Sequence, residues 1–154
     1  MPRVKSMTNA DPKPTIGVYS FGSKGNVFPK VQFEFDVSKL RDPSGQKQFK
    51  GLNGVDPEVR DWVAQDTRVQ GIVDNCLLLA DDLVKPKKRE TSDGVVATVV
   101  PVSGWLSFSF KDVHGRWAGP AVAEAVAEAF SKAGYTVATV HCGLKVPGGG
   151  TVVM

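Results

Sequence analysis

Several short runs of apolar residues along the chain are typical of β-strands. Residues 15–21 are rich in β-branched and aromatic side chains and end at a glycine, which predicts a buried strand followed by a turn. Residues 31–35 alternate valine and phenylalanine with glutamine and glutamate, which predicts a second strand with one buried face. Residues 135–141 are the last run of this kind. We therefore expect strands at both ends of the folded part of the chain.

Two further β-rich runs, residues 95–102 and 105–110, are separated by Ser103 and Gly104. A two-residue connection that contains glycine is typical of a β-hairpin, so we expect these two runs to pair with each other. Proline cannot donate a hydrogen bond to a strand ladder, and Pro101 therefore places the first run on a sheet edge.

Apolar residues at intervals of three and four predict three helices. Asp56 and Pro57 open a short helix, with the aspartate at the N-cap and the proline in the first turn. Asp66 caps a second helix, which Pro86 ends, and residues 119–133 form a third. The apolar side chains that we expect to face the core are Val69, Ile72, Val73, Cys76, Leu79, Ala80 and Leu83 in the second helix and Val122, Val126, Ala129, Phe130 and Ala133 in the third.

The order of these elements predicts an α/β fold. Residues 105–141 run as strand, loop, helix and strand, and a crossover of helical length makes the two strands parallel. We predict a single domain over residues 15–144, with a mixed, mostly parallel sheet flanked by helices. Residues 1–14 are expected to be a disordered leader, and residues 145–154 a flexible tail.

The composition is typical of one globular domain in the cytoplasm. The chain has 154 residues, of which 42% are hydrophobic and 23% charged. Its most apolar stretch, residues 72–84, is interrupted by three aspartates and an asparagine and is too short for a membrane span. Residues 1–14 lack the apolar region of a signal peptide. We therefore expect a cytoplasmic protein without membrane contacts.

Sequence motifs for cofactors, metals and covalent catalysis are missing. The two cysteines, Cys76 and Cys142, lie far apart, with no histidine at metal-ligand spacing from either. The patterns GxxxxGK(S/T), GxGxxG and GxSxG do not occur, and no pair of carboxylates stands out from the solvated ones. We expect no metal, no cofactor and no catalytic residue, and thus a binding protein rather than an enzyme.

Positive charge is concentrated in the first part of the chain. Residues 1–90 hold 15 lysines and arginines against 12 acidic residues, whereas residues 91–154 hold four of each, which together make the net charge of +3. The densest basic run is able to contact the phosphates of RNA, because clustered cations gain affinity by releasing counterions. A solvated loop beside a proline is the alternative interpretation. The candidate RNA-contact residues of this run are Lys85, Lys87, Lys88 and Arg89.

The loop before the third helix is the best candidate for a ligand site. It leaves the C-terminal end of a strand and enters a helix N-terminus, which is the edge where open α/β sheets bind ligands. Free backbone N–H groups at a helix start attract anions, and His114, Gly115 and Arg116 lie beside them. A phosphate or sugar phosphate is the ligand that this arrangement favours.

Other polar residues are expected at the same sheet edge. Ser20, Gly22 and Lys24 belong to a glycine-containing turn after the first strand, and backbone N–H groups in such a turn can cradle an anion. His141 ends the last strand. Asp36 joins this edge if the connection before its strand is a crossover, and lies at the opposite end if that connection is a hairpin. The sequence leaves both alternatives open.

Four segments of the chain form a pattern in their order and spacing. They are SFGSKG at 20–25, FDVSKLRDP at 35–43, LNGVDPEVRDWV at 52–63 and VHCGL at 140–144. In order and spacing they resemble the C-terminal domain of RapZ-type RNase adapter proteins, whose patterns SFGxKxG, FDVRxLxNP and TGLDxxVxxFL are fairly specific. The resemblance covers most of residues 15–144.

The resemblance implies an adapter rather than a catalyst. In full-length members a P-loop nucleotide-binding domain precedes this domain, and the resemblance implies a stand-alone bacterial or phage version without it. The family's C-terminal domain binds a small regulatory RNA, engages an endoribonuclease and senses an amino-sugar phosphate. The partners that it implies here are RNA, an RNase or another protein, and a small phosphorylated ligand, with an oligomer as a further expectation.

The family's ligand loop, GCTGGKHRS, is altered in this chain. It aligns without a gap to residues 111–119, so that Gly115 matches and Arg116 replaces lysine. Several cationic residues of the family are missing, and the family's sugar phosphate therefore does not follow automatically. The positions at which other residues replace its cations are Ser38, Trp117, Ala118 and Cys142.

Two other functions compete with the adapter hypothesis. One is a small phosphate-handling enzyme that uses His114 or His141 as its acid or base. The other is a structural protein whose pocket has decayed. Ligand binding without turnover would favour the adapter, and the absence of any ligand would favour the structural protein.

Overall fold

A five-stranded sheet forms the framework of the domain. The structure is a computed structural model that describes residues 13–24, 30–85, 87–99, 104–145 and 151–153. The strands are β1 (Thr15–Gly22), β2 (Phe33–Asp36), β3 (Lys87–Glu90), β4 (Val96–Val99), β5 (Trp105–Asp112), β6 (Val137–Lys145) and β7 (Thr151–Val153). The five-stranded sheet has the order β2-β5-β1-β6-β7, and β3 and β4 form a separate two-stranded sheet.

The predicted mixed, mostly parallel sheet is confirmed. β1 lies at its centre and pairs in parallel with both β5 and β6, while β2 pairs in parallel with β5. β7 is antiparallel to β6. Since β1 and β2 point the same way with β5 between them, the connection from β1 to β2 is a crossover and not a hairpin. Asp36 therefore lies at the same sheet edge as the C-terminal ends of β1 and β5.

Three helices flank the sheet: α1 (Pro57–Ala64), α2 (Thr67–Val84) and α3 (Ala118–Lys132). α3 packs against β1, β5 and β6, and both other helices pack against α3. Asp66 caps α2 as predicted, since its carboxylate accepts a hydrogen bond from the N–H of Arg68. Asp56 holds the N-cap position of α1, but its carboxylate accepts from the N–H of Asn53, 2.7 Å away, instead of from the helix.

Aromatic rings fill the core between the sheet and the helices. The rings of Phe33 and Phe35 stack on Phe108 and Phe110, with centroids 5.0 and 5.3 Å apart. Phe130 of α3 contacts Phe108, and all three phenylalanines of β5 and α3 are fully buried. The predicted apolar faces are largely buried as well, through Val69, Val73, Cys76 and Ala80 in α2 and Val122, Val126 and Phe130 in α3.

The predicted hairpin of residues 95–102 with 105–110 is wrong. β4 pairs antiparallel with β3, whereas β5 lies inside the main sheet between β1 and β2. β5 carries fully buried phenylalanines, and a place between two parallel strands buries more apolar surface than one hairpin partner offers. Residues 100–103, with Pro101, lie outside the described residues.

The ends of the chain were expected to lack regular structure. Residues 1–12 of the predicted leader lie outside the described residues. Residues 145–154 were predicted to be a flexible tail. In the described part of this segment, however, residue 145 ends β6 and residues 151–153 form β7. Backbone hydrogen bonds to β6 supply the partners that a free tail would find in water.

Removing the carboxylate of Asp66 is expected to destabilise the protein more at neutral than at acidic pH. Its hydrogen bond with the Arg68 side chain, aided by backbone N–H groups, holds the pKa of Asp66 well below its usual range. A depressed folded-state pKa adds stability above the unfolded pKa of about 4 and loses it as the pH falls. Asp66→Ala should therefore lower the free energy of unfolding by about 1–2 kcal/mol at pH 7.

Urea unfolding at pH 7 and pH 3 measures this difference. The difference in the free energy of unfolding between the wild type and Asp66→Ala should narrow at pH 3, because the carboxylate of the unfolded wild type binds a proton there, which folding has to release. Asp61→Ala, at an exposed position of α1, is the matched control and should change little at either pH. An equal difference in the free energy of unfolding at both pH values would contradict the lowered pKa of Asp66.

Candidate functional site

Four parallel strands end at one edge of the main sheet. The register pairs at this edge are Gly22 with Asp112, Ser20 with His141, and Asp36 with Lys111. Four of the predicted site residues, Ser20, Gly22, Asp36 and His141, therefore belong to strand ends that meet here. The loop of residues 113–117, which connects β5 to α3, lies against the same edge.

Three glycines, Gly22, Gly54 and Gly143, touch the backbone of this loop, and we call them the contact glycines. A Cβ atom on Gly22 would lie 2.7 Å from the carbonyl oxygen of His114, and one on Gly143 would lie 2.6 Å from that of Gly115. A Cβ atom on Gly54 would meet a carbonyl oxygen of the loop at still closer range. The loop can occupy this position only because the three residues have no side chain.

Asp112 holds the loop from the inside. Its carboxylate accepts hydrogen bonds from the backbone N–H groups of Gly115, of Trp117 at 3.1 Å and of Gly119 at 2.9 Å. Asp112 is only 7% exposed, and Gly115 has the left-handed φ of 69° that the turn requires. These N–H groups at the start of α3 are not free, in contrast to the expectation from the sequence, because a carboxylate of the chain itself binds them.

The glycine-containing turn after β1 also has internal partners. The N–H of Ser23 donates to the carbonyl of Asp112 at 2.8 Å, and the N–H of Lys24 donates to that of Val113 at 3.0 Å. The backbone donors that suggested an anion cradle at Ser23 and Lys24 thus tie the turn to the loop. Gly25, the last residue of the motif, lies outside the described residues.

His141 is the centre of a buried polar chain. Its Nδ1 lies 2.6 Å from the hydroxyl oxygen of Ser20, and its Nε2 lies 2.7 Å from a carboxylate oxygen of Glu124 on α3. Ser20 and His141 are completely buried, and the side chain of Glu124 is 14% exposed. Serine, histidine and glutamate in this order resemble a hydrolytic triad, but the hydroxyl faces no solvent from which a substrate could approach. The arrangement connects α3 to the sheet.

His114 and Arg116 lie on the exposed side of the loop. His114 lines a cleft at the sheet edge, whereas Arg116 turns away from it and donates to the carbonyl of Leu52 at 3.0 Å. The guanidinium of Arg116 also lies 5.2 Å from the ring centroid of Trp117. The two histidines that the sequence places at one edge therefore differ in environment, since one is exposed and the other is buried.

The cleft is small, with a volume of about 50 Å³, and five of its nine lining residues are serine, aspartate or histidine. Asp36 adjoins it: its carboxylate accepts from the N–H and the hydroxyl of Ser38, at 3.0 and 2.6 Å. These hydrogen bonds and the nearby charge of Lys111 lower the pKa of Asp36 and keep it ionised. The residues that line the cleft are Ser38, Leu40, Asp42, Ser44, Asp112, Val113, His114, Trp117 and Ala118. The arrangement suits a ligand that donates hydrogen bonds.

Two residues with central places in this site escaped prediction from the sequence. Asp112 is not among the predicted site residues, although an aspartate three residues before a glycine can accept the N–H groups of its own turn. No local sequence pattern points to Glu124 as a partner of His141. Glu124 lies on α3, and it contacts His141 only because α3 packs against the sheet.

The predicted RNA-contact residues lie away from this loop in the chain. Lys87, Lys88 and Arg89 belong to β3, and Lys85 is exposed directly after α2. The alternative of a solvated loop is therefore wrong for residues 87–89, because they pair with β4. Their contact with RNA stays a prediction.

In the described parts of the chain, no three histidine, cysteine, aspartate or glutamate side chains are grouped so as to hold a metal ion. No helix in these parts combines the length and the apolar character that crossing a bilayer requires.

The structure is a small α/β domain with a cleft at the C-terminal ends of its parallel strands, which is the edge where open α/β sheets bind ligands. The model of the RapZ C-terminal domain family matches residues 14–145. The chain belongs to the RapZ C-terminal domain family, as its sequence motifs indicated.

Two bacterial relatives agree with this assignment. A nucleotide-binding protein of Zymomonas mobilis is 25% identical over 138 residues, which cover 87% of this chain and 38% of that protein. A nucleotide-binding protein of Dinoroseobacter shibae is 30% identical over 126 residues, or 82% of this chain and 38% of that protein. The chain thus spans little more than a third of the length of either relative.

Proposed function

We propose that the protein is a non-catalytic adapter that recognises RNA and responds to a small polar ligand in the cleft beside residues 113–117. The observation that carries this proposal is the cleft itself, where acceptor groups converge on a loop held by the contact glycines and by Asp112. Fixed polar groups around a concave site are typical of ligand binding. Family membership adds the expectation of a macromolecular partner.

The enzymatic alternative has less support from the geometry. A general acid or base must reach the proton that it transfers, and His141 is buried with both ring nitrogens occupied by Ser20 and Glu124. His114 is exposed, and the carboxylate of Asp112 in the same lining already accepts three backbone N–H groups instead of orienting an imidazole as a base. A binding role needs only the acceptors that line the cleft.

RNA is the partner that the basic run favours. Four cations within five residues provide the phosphate contacts that dominate affinity for nucleic acids. Replacing Lys85, Lys87, Lys88 and Arg89 by alanine should weaken binding of a structured RNA by tenfold or more, on the order expected when several phosphate contacts are lost. The affinity should also depend less on salt. The slope of log affinity against log salt concentration should become shallower by up to roughly 0.9 for each phosphate contact that is lost.

A gel-shift titration between low and high salt measures both effects. The matched control is a variant with alanine at four exposed lysines elsewhere, Lys30, Lys39, Lys47 and Lys50, which has the same net charge. An equal loss in both variants would mean non-specific attraction. Affinity no higher than that of an unrelated protein of equal charge would refute RNA recognition and leave a protein partner as the alternative.

The ligand is tested separately by thermal-shift screening. Amino sugars, sugar phosphates and nucleotides are the compounds to screen, the last because both relatives are named for nucleotide binding. A stabilising compound should lose its effect in Ser38→Ala and keep it in Ser131→Ala, which changes an exposed serine away from the cleft. Turnover that disappears in His114→Ala would favour the enzyme, and the absence of any shift would favour a decayed pocket.

A further inference from the structure

We infer that Trp105 and Tyr19 form a stacking surface for the unpaired bases of single-stranded RNA. This inference deepens the proposed function, because it rests on RNA as the partner and names the part of an RNA that this surface binds. The surface lies at the start of β5, whereas the loop of residues 113–117 and the cleft lie beyond the other end of that strand.

Both aromatic side chains lie on the face of the main sheet that is turned away from α3. Side chains alternate between the two faces of a strand, and Phe108 of β5 contacts Phe130 of α3. Trp105, three residues before Phe108, therefore lies on the opposite face. The register pairs Tyr19 with Ser109, which places Tyr19 on the same face as Trp105.

The two aromatic side chains converge over Gly17. Trp105 is 55% exposed, and Tyr19 is partly exposed. A Cβ atom on Gly17 would lie 3.3 Å from Cε3 of the indole ring and 3.4 Å from the hydroxyl oxygen of Tyr19. Because Gly17 has no side chain, both aromatic groups can lie along the sheet and form one continuous surface.

The strand segment that carries Trp105 is held in place by Gln32. The side-chain amide of Gln32 donates to the carbonyl of Trp105 at 3.2 Å. Its amide oxygen accepts from the N–H of Ser107 at 2.7 Å and from the hydroxyl of the same serine. A strand that is already fixed loses little freedom when a base stacks on its side chain, which favours binding.

The charge that follows along the chain favours RNA as the occupant of this surface. The antiparallel register of β3 and β4 places Lys87 opposite Val99 and Lys88 opposite Thr98. The chain continues from Val99 to Trp105 in six steps, which span at most about 22 Å. Cations for the phosphates close to aromatic rings for the bases are the combination that proteins use to bind single strands.

Fluorescence anisotropy with a labelled, short oligouridine tests the inference. Trp105→Leu keeps an apolar side chain but removes the ring, so it should weaken binding by about tenfold, the order expected for the loss of one stacked base. Trp105→Phe keeps a ring and should retain most of the affinity. Leu78→Ala is the matched control, because it removes an apolar side chain of α2 that is 66% exposed, and it should bind like the wild type.

Tryptophan emission reports the stacking itself. Oligouridine should quench the emission of the wild type, and Trp105→Phe should abolish this quenching although the RNA still binds. The other two tryptophans, Trp62 and Trp117, are less exposed than Trp105 and remain in this variant. Quenching that persists in Trp105→Phe would place the bases at another tryptophan and overturn the inference.

A blunt RNA duplex of the same length separates base stacking from phosphate binding. Its affinity should be the same for the wild type and for Trp105→Leu, because a duplex offers no unpaired base. For oligouridine, Trp105→Leu should leave the salt dependence of the affinity unchanged, since no phosphate contact is lost. Both Trp105 variants should melt close to the wild type, because the side chain is more than half exposed.

The outcomes that would overturn the inference are distinct. Equal affinity of the wild type and Trp105→Leu for oligouridine, or no binding of oligouridine, would refute the stacking surface. Self-association of the wild type in analytical ultracentrifugation that Trp105→Leu abolishes, without any effect on oligouridine, would assign the surface to a second copy of the chain. Binding of a structured RNA tests the proposed function separately, so a protein that binds it but ignores oligouridine retains the proposed function and refutes only this inference.

Discussion

Gly22→Ala is expected to lower the free energy of unfolding by about 3 kcal/mol or more, among the largest effects of any single substitution in this protein. A methyl group at this position would overlap the backbone of His114 and Gly115, and both are backbone contacts that no side-chain rotation can relieve. The loop of residues 113–117 would have to move off the sheet edge. Its hydrogen bonds to Asp112 would then be lost with it.

Chemical denaturation of matched glycine variants measures this effect. Gly71, in the exposed middle of α2, has no atom within 4 Å of a built Cβ, so Gly71→Ala should stabilise the protein by up to about 1 kcal/mol through helix propensity. Gly143→Ala should resemble Gly22→Ala, since its Cβ would also meet loop backbone. A loss below about 1 kcal/mol in both contact-glycine variants would refute the close approach.

His141→Leu should cost about 3–5 kcal/mol of folding free energy. Leucine fills most of the space, so the loss comes mainly from the polar partners rather than from a cavity. The substitution leaves the buried hydroxyl of Ser20 and the mostly buried carboxylate of Glu124 without the histidine that both contact. A buried charge that loses its partner cannot recover the hydration that folding removed.

A double-mutant cycle separates this interaction from simple burial. If Glu124 and His141 stabilise each other, Glu124→Leu combined with His141→Leu should cost less than the sum of the two single variants. Glu128→Gln is the matched control on the same helix, because Glu128 forms exposed ion pairs with Arg60 and Lys132 and should cost less than about 1 kcal/mol. Additive costs for Glu124 and His141 would contradict the coupling.

Both predictions test contacts that hold the loop of residues 113–117 and α3 on the main sheet. The contact glycines let the loop approach the sheet, and the chain from Ser20 through His141 to Glu124 holds α3 on that sheet. Asp112 joins the loop to the start of α3. The cleft therefore has a rigid wall, which is the condition for selective binding of a small ligand.

Local signals predict most of the strands and helices correctly. β-Branched and aromatic content and the alternation of apolar residues located the strands that the structure places at Thr15–Gly22 and Phe33–Asp36. Apolar spacing of three and four located α2 and α3, and Asp66 was recognised as a cap from its residue type and position. The strand, helix, strand order from β5 to β6 predicted their parallel direction, because a helical crossover brings the chain back to its starting edge.

Partners far along the chain decide the features that local patterns leave open. Residues 95–102 and 105–110 have the same β-strand character, but only their surroundings place β5 in the main sheet and β4 against β3. The residues around Asp112 allow its carboxylate to accept the N–H groups of its own turn, but they do not show that it becomes buried there. The same holds for Glu124, whose partner lies 17 residues away.

Local sequence was sufficient for most of the elements, though not for β3 and β7, and for the mostly parallel α/β class and the family of this protein, because strand and helix periods, helix caps and motif order depend on neighbouring residues. The tertiary structure alone decided the strand order, the burial of Ser20 and His141, and the occupation of the helix start by Asp112. Those features depend on which distant segments meet, and packing and hydrogen-bond satisfaction in the folded chain choose among partners that are equivalent by local pattern.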